Sequence, residues 1–242
     1  MSFIKDFYSG LSFEYWQSRI DYELDRAIAE QDALTGSAII GAYSSYLQLV
    51  EIVFHHIYLI SKISEDEEAF KDAVFISNAK LKKWIEGSVN KGSLSNFLRM
   101  FVFTTVSDEA MNKEKFNDYL EIFLEAKKDF IKYHDVLNAF KHGFRLRASN
   151  TGSVGVNGRE FLKTEAVVTY FSREDKIIYK NTFGFSIRRT MMKVHFLLSA
   201  VDNAKIFILS KPGEVLNQEH YFIDDREVWN RTFGSYHFRG PI

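Results

Sequence analysis

Cysteine is absent from the 242 residues. That excludes disulfides, thiolate-bound zinc and cysteine nucleophiles. Only two prolines occur, and hydrophobic residues make up 46% of the chain, which excludes a disordered class. Neither sign of charge dominates: 31 Lys and Arg face 32 Asp and Glu, for a net charge of −1. A general nucleic-acid coat carries a strong basic excess, so any anionic partner here must use a local patch. The phosphate-loop and dinucleotide glycine patterns, GxxxxGK[ST] and GxGxxG, are missing, as is the GxSxG nucleophile elbow. HExxH is missing too. Glu51 and His55 stand four apart, a spacing that can ligate metal, but no third ligand is in view. They are expected to satisfy each other or outside groups within a bundle. No metal and no cofactor are expected.

The opening MSFIKDFYSG lacks the basic-then-apolar pattern of a secretory leader. The most apolar stretch, 35–63, is interrupted by Gln48, Glu51, His55 and His56. It falls short of the run of ~20 apolar residues that a membrane span needs. It reads as a buried helix of a cytoplasmic protein without a membrane partner.

The length is enough for one large domain or two small ones with a real core. Twenty-three Phe and twelve Tyr predict thick aromatic helix interfaces and a buried subunit contact. Residues 12–32 carry a stripe through Trp16, Ile20, Leu24, Ala27 and Ile28. In 35–63, Ile39, Tyr43, Tyr46, Val50, Val53, Ile57 and Ile60 step by three and four, and Ile40, Leu47 and Phe54 widen the stripe. That is the pattern of a central bundle helix. Residues 67–86 read as one charged helix, 88–96 (SVNKGSLSN) as a loop, and 94–106 as a further apolar helix. From about Lys113 to His142, Tyr119, Phe123, Ala126, Phe130, Tyr133, Leu137 and Phe140 repeat the seam. At ~1.5 Å per residue this helix spans ~45 Å, and two such helices predict antiparallel packing.

Past Gly143 the period changes to two. Residues 144–149 alternate, 150–158 is turn-rich, and 164–173 and 176–185 read as strands joined at Glu174-Asp175. A last helix, 187–210, stops at Lys211-Pro212-Gly213, and an aromatic tail comes after it. The expected fold is mainly α: an antiparallel helical bundle over 1–143, then 144–242 with a small antiparallel β element, a further C-terminal helix and a tail that docks on the bundle.

The stretch LNAFKHGFRLRA, 137–148, carries the candidate site. On a helix Asn138, Lys141 and His142 share a face, and His134 lies one turn earlier on a neighbouring one. Arg145 and Arg147 share one side of a strand. A helix C-terminus favours a charged imidazole by ~0.3–1 kcal/mol, and nearby cations oppose it. The balance suits a histidine that exchanges protons near neutrality. Arginines clamp phosphate with paired hydrogen bonds. From 127 to 147, six Lys or Arg stand against two Asp, in a chain of net charge −1. The ordinary alternative is equally open: Lys and His before Gly make a common helix stop, and arginines on one side of a strand are often its solvent face. A second basic cluster, Arg188, Arg189 and Lys193, opens the last helix against its dipole and asks for a partner or a local acid.

A long helix ending in Asn138-x-x-x-His142 before Gly143, after an earlier long apolar helix, resembles the HEPN family of helical-bundle proteins. Many members are metal-independent ribonucleases of toxin–antitoxin and phage-defence systems; others are inactive binding modules. The resemblance covers 12–143 and implies His142 as the catalytic histidine and Asn138 as its polar companion. Leu137 stands where the family has arginine, so Lys141, Arg145 or Arg147 would carry the phosphate charge. It also implies a homodimer that joins two motifs in one groove, an RNA substrate and an antitoxin-like protein partner. The alternative function is a non-catalytic dimeric module that binds a protein or a nucleic acid.

Overall fold

The computed structural model of the chain describes residues 3–29, 33–63, 66–104, 110–141, 146–149, 152–156, 159–164, 166–221, 223, 229 and 237–241. They form two compact units. The first comprises Met1–Tyr15, Leu49–Ile131 and Lys193–Ile223; the second comprises Trp16–Gln48, Lys132–Met192 and Asp224–Ile242. The helices are α1 (Phe3–Ser9), α2 (Glu14–Ala29), α3 (Ala33–Ile63), α4 (Glu67–Val74), α5 (Asn78–Ser88), α6 (Lys91–Phe97), α7 (Ala110–Lys141) and α8 (Ile187–Leu209). A single π-helical turn, Leu98–Val102, extends α6. The strands are β1 (Leu146–Ser149), β2 (Gly152–Val156), β3 (Arg159–Thr164), β4 (Ala166–Glu174), β5 (Ile177–Phe185) and β6 (His237–Pro241). The chain is thus mainly α: a helical bundle with a small antiparallel β element and a further helix, α8.

The seams fix the two long helices. Ile39, Tyr43, Tyr46, Val50, Val53, Ile57 and Ile60 of α3 are buried, as are Tyr119, Phe123, Ala126, Phe130, Tyr133 and Leu137 of α7. In the first unit, Phe54 meets Phe123 edge-on at 6.3 Å. In the second, Tyr43 meets Tyr133 at 5.9 Å. Each fully buried aromatic of this kind contributes roughly 2–3 kcal/mol. Gly36–Ile63 is long and apolar enough to cross a membrane by composition, and most of it is buried within the fold, as in a core helix.

Three sequence expectations need correction. Residues 67–86 form two helices, because Ser77 caps a new start by accepting from the Lys80 amide. The serine-rich stretch 88–96 is largely helical: Asn90 accepts from the Gly92 and Ser93 amides, and the Ser93 hydroxyl accepts from the Asn90 amide. This reciprocal cap starts α6 where composition suggested a loop. Part of the turn-rich 150–158 is strand β2, which pairs with β3 around an irregularity at Val154/Gly155. The larger sheet has the order β1-β4-β5-β6, antiparallel throughout. Its β4–β5 turn is made at Asp175, which adopts the left-handed conformation (φ 52°).

In the first unit, α8 lies antiparallel to α7: Lys193 meets Asp129 and Glu125, and the Tyr119 hydroxyl shares a 2.8 Å hydrogen bond with Ser199. The segment after α8 is held on these helices by main-chain bonds at Glu219 and Ile223. Asn203 donates to the Glu219 carbonyl and accepts from its amide, at 2.6 and 3.1 Å. Asp118, fully buried, accepts from the Ile223 amide at 2.8 Å.

Candidate functional site at the end of helix α7

In the second unit α7 runs unbroken to Lys141, and β1 begins at Leu146. Tyr133 stacks on Phe183 of β5 at 4.2 Å, which pins the last turns of α7 to the sheet. Val136 and Leu137 are buried one turn further on. His134 is half-buried. Asn138 and Lys141 belong to the last helical turns, while His142 and Arg145 lie outside the described residues. Arg147 sits in β1 opposite Thr169 of β4. Strand β1 is seated tightly: a Cβ at Gly36 of α3 would fall 2.8 Å from the Ala148 carbonyl oxygen, so only glycine allows this approach.

No family model, curated protein or solved structure matches the chain. Its chemistry must be read from its own residues.

Leu137 is 3% exposed. The position that the HEPN resemblance assigns to arginine is therefore committed to the apolar seam. Under that resemblance, Lys141, Arg145 or Arg147 would have to supply its charge. A lysine supplies a point charge without arginine's bidentate fork.

The second basic cluster resolves into separate local partnerships. Lys193, 7% exposed, bridges Asp129 at 2.6 Å and Glu125 at 3.3 Å. Those carboxylates are the local acid that the sequence asked for. The Arg189 guanidinium lies 4.1 Å from the Trp229 ring centre, a cation–π contact. Arg188 is exposed.

Glu51 and His55 do not satisfy each other. His55 Nε2 bonds the Ala73 carbonyl at 2.9 Å, and Glu51 Oε1 is buried without a hydrogen-bond partner. His56 is buried in an aromatic box, with Phe13 at 5.1 Å, Tyr8 at 5.9 Å and Phe7 at 6.4 Å between ring centres. Burial, reinforced by His55, pushes its pKa down to about 4. Its Nδ1 and the Tyr8 hydroxyl have no hydrogen-bond partner. Among the described residues, no three His, Asp or Glu come together as metal ligands.

The strand-period reading did not single out Phe171, Arg173 and Lys180. Arg173 and Lys180 are exposed and Phe171 is half-buried, and all three fall in the outward rows of the larger sheet. The two strands were visible in 164–185, but which residues stand opposite each other depends on pairing.

Proposed function

We propose that the chain is a HEPN-like cytoplasmic helical module that binds RNA through phosphate contacts at the α7–β1 junction, as a homodimer. The observation that carries this reading is the junction itself. Helix α7 ends at Lys141 and β1 starts at Leu146, so Asn138, Lys141, His142, Arg145 and Arg147 fall within ten residues of one helix–strand connection. A helix C-terminus carries about half a negative charge, which repels phosphate. Three fixed cations outweigh it. The burial of Leu137 favours binding over cleavage, because the arginine of the ribonuclease pattern has no counterpart at that position.

The spacing of Asn138 and His142 at the end of an unbroken helix supports a second reading, metal-independent endoribonuclease. His142 would accept the ribose 2′-hydroxyl proton while the 2′-oxygen attacks the adjacent phosphorus. The leaving 5′-oxygen would take up a proton, and Lys141, Arg145 or Arg147 would stabilise the negative charge on the non-bridging phosphate oxygens. Under either reading a small antitoxin-like protein is the expected partner.

Fluorescence anisotropy with labelled RNA tests the binding reading. Lys141→Ala with Arg147→Ala should weaken binding at least tenfold and flatten its salt dependence; an unchanged affinity overturns it. Incubation of varied RNAs in EDTA tests the second reading. Cleavage abolished by His142→Ala would establish it, and cleavage that survives the substitution would remove His142 from the chemistry. Light scattering reports the dimer.

A further inference from the structure

The larger sheet has two unlike faces. Val168, Tyr170, Asn181 and Phe183 are buried, and their neighbours in sequence point the other way. Residues directly opposite on antiparallel strands share a face. The outward rows are therefore set by the register; their Val167–Gly184 pair is buried, and the rows become less covered from Thr169 onward. Arg147 pairs with Thr169, which pairs with Thr182; Phe171 pairs with Lys180; Arg173 pairs with Ile178. Thr169 and Thr182 share a hydroxyl hydrogen bond at 3.0 Å, which keeps the middle of this face polar.

Charge on these rows is of one sign. Arg147, Arg173 and Lys180 occupy them, and among the described residues no Asp or Glu does. Glu174 pairs with Ile177 in the alternate row, and Asp175 lies in the turn. Arg173 directs its Nε to the Asp175 carbonyl at 2.9 Å, which steadies the guanidinium and uses one of its five donors. Lys180 is exposed and stands beside the half-buried ring of Phe171.

We infer that this outward face is a platform for single-stranded nucleic acid, with Phe171 as the stacking ring and Lys180, Arg173 and Arg147 as the phosphate contacts. An aromatic ring flanked by cations accepts unpaired bases of any sequence, because every base has a π-face. A duplex hides its base faces and cannot use the ring. The row from Arg173 to Thr169 is four residues long, ~14 Å at ~3.4 Å per residue, room for a short extended strand. The inference rests on the RNA-binding reading above and extends it along β1, which carries Arg147 in both.

The test uses the full chain with a fluorescein-labelled single-stranded RNA of about twenty nucleotides, and with the same sequence as a duplex. Arg173→Gln with Lys180→Gln should weaken single-strand binding at least tenfold. It should also lower the slope of log affinity against log salt by about 1.4, given ~0.7 per phosphate contact. Phe171→Ala should cost about fivefold or more on the single strand and leave the duplex unaffected. If instead Lys141→Ala with His142→Ala abolishes binding while the sheet variants bind as the native chain does, the platform is overturned and the α7 reading stands. If only the sheet variants lose affinity, the platform stands and the α7 reading falls. Equal loss on single strand and duplex in Phe171→Ala overturns the stacking role. No binding of either form by the native chain overturns both.

Discussion

Lys193 and Lys180, one in each compact unit, show two different fates of a cation. In the first unit, Lys193 is buried between Asp129 and Glu125. Lys71 there is likewise held by Glu68 and Glu67, which raise its pKa. Lys127 donates to the carbonyls of Glu86 and Val89. In the second unit, Lys180 and Arg173 stand on a sheet face with no carboxylate among the described residues of their rows. A cation closed off by acids has a structural role, because its charge is already neutralised. One left facing water beside an aromatic ring is available to a ligand.

The contrast breaks most clearly at Lys193. Lys193→Ala removes the buried cation between Asp129 and Glu125 and should lower stability by about 3 kcal/mol, measured by urea unfolding. A loss below ~1 kcal/mol would place Lys193 in the same class as Lys180. Acidification is the next largest lever. His56 is buried neutral, so between its unfolded pKa of ~6.5 and its folded value near 4 the unfolded chain binds more protons. Stability is therefore full above about pH 7 and falls as pH drops towards 4, by about 3 kcal/mol from this group. His56→Leu should flatten that part of the pH–stability curve; a curve of unchanged shape would remove His56 as its source.

Asn203→Ala removes two of the bonds to the Glu219 main chain, leaves its carbonyl to the Ser199 hydroxyl, and should cost about 2 kcal/mol. Faster hydrogen exchange confined to 218–223 is the expected signature. At the small end, Arg173→Gln with Lys180→Gln should move stability by no more than ~0.5 kcal/mol. A cooperative collapse there would make those side chains structural after all and erase the contrast.

The helices were legible where one period ran without competition. The three-and-four positions of α3 from Ile39 to Ile60 and of α7 from Tyr119 to Leu137 are all buried, because that stepping leaves a single face to hide. The break between α4 and α5 was not legible. Phe70, Ala73, Ser77, Leu81 and Ile85 keep the helical step straight across it, and only the capping hydroxyl of Ser77 marks the new start. Asn90 and Ser93 failed the other way: residues that suit a turn also suit a cap, and here they open α6. At the candidate site, the long helix was readable through Lys141, as was the basic character of residues 141–147; His142, where the helix was expected to end, lies outside the described residues. The burial of Leu137 is a consequence of the same seam. The rows of the sheet were out of reach, since Phe171 meets Lys180 and Arg147 meets Thr169 only through strand pairing.

Each compact unit draws on three separate stretches of chain. Lys205 reaches back to the Leu11 carbonyl, and Asp118 waits for the Ile223 amide. No single proteolytic cut can release either unit whole, and a fragment that stops partway lacks something both need. Parts of this protein are to be exchanged by reassembling co-expressed pieces, and its folding is expected to be slow, since closure of long loops precedes the contacts that reward it.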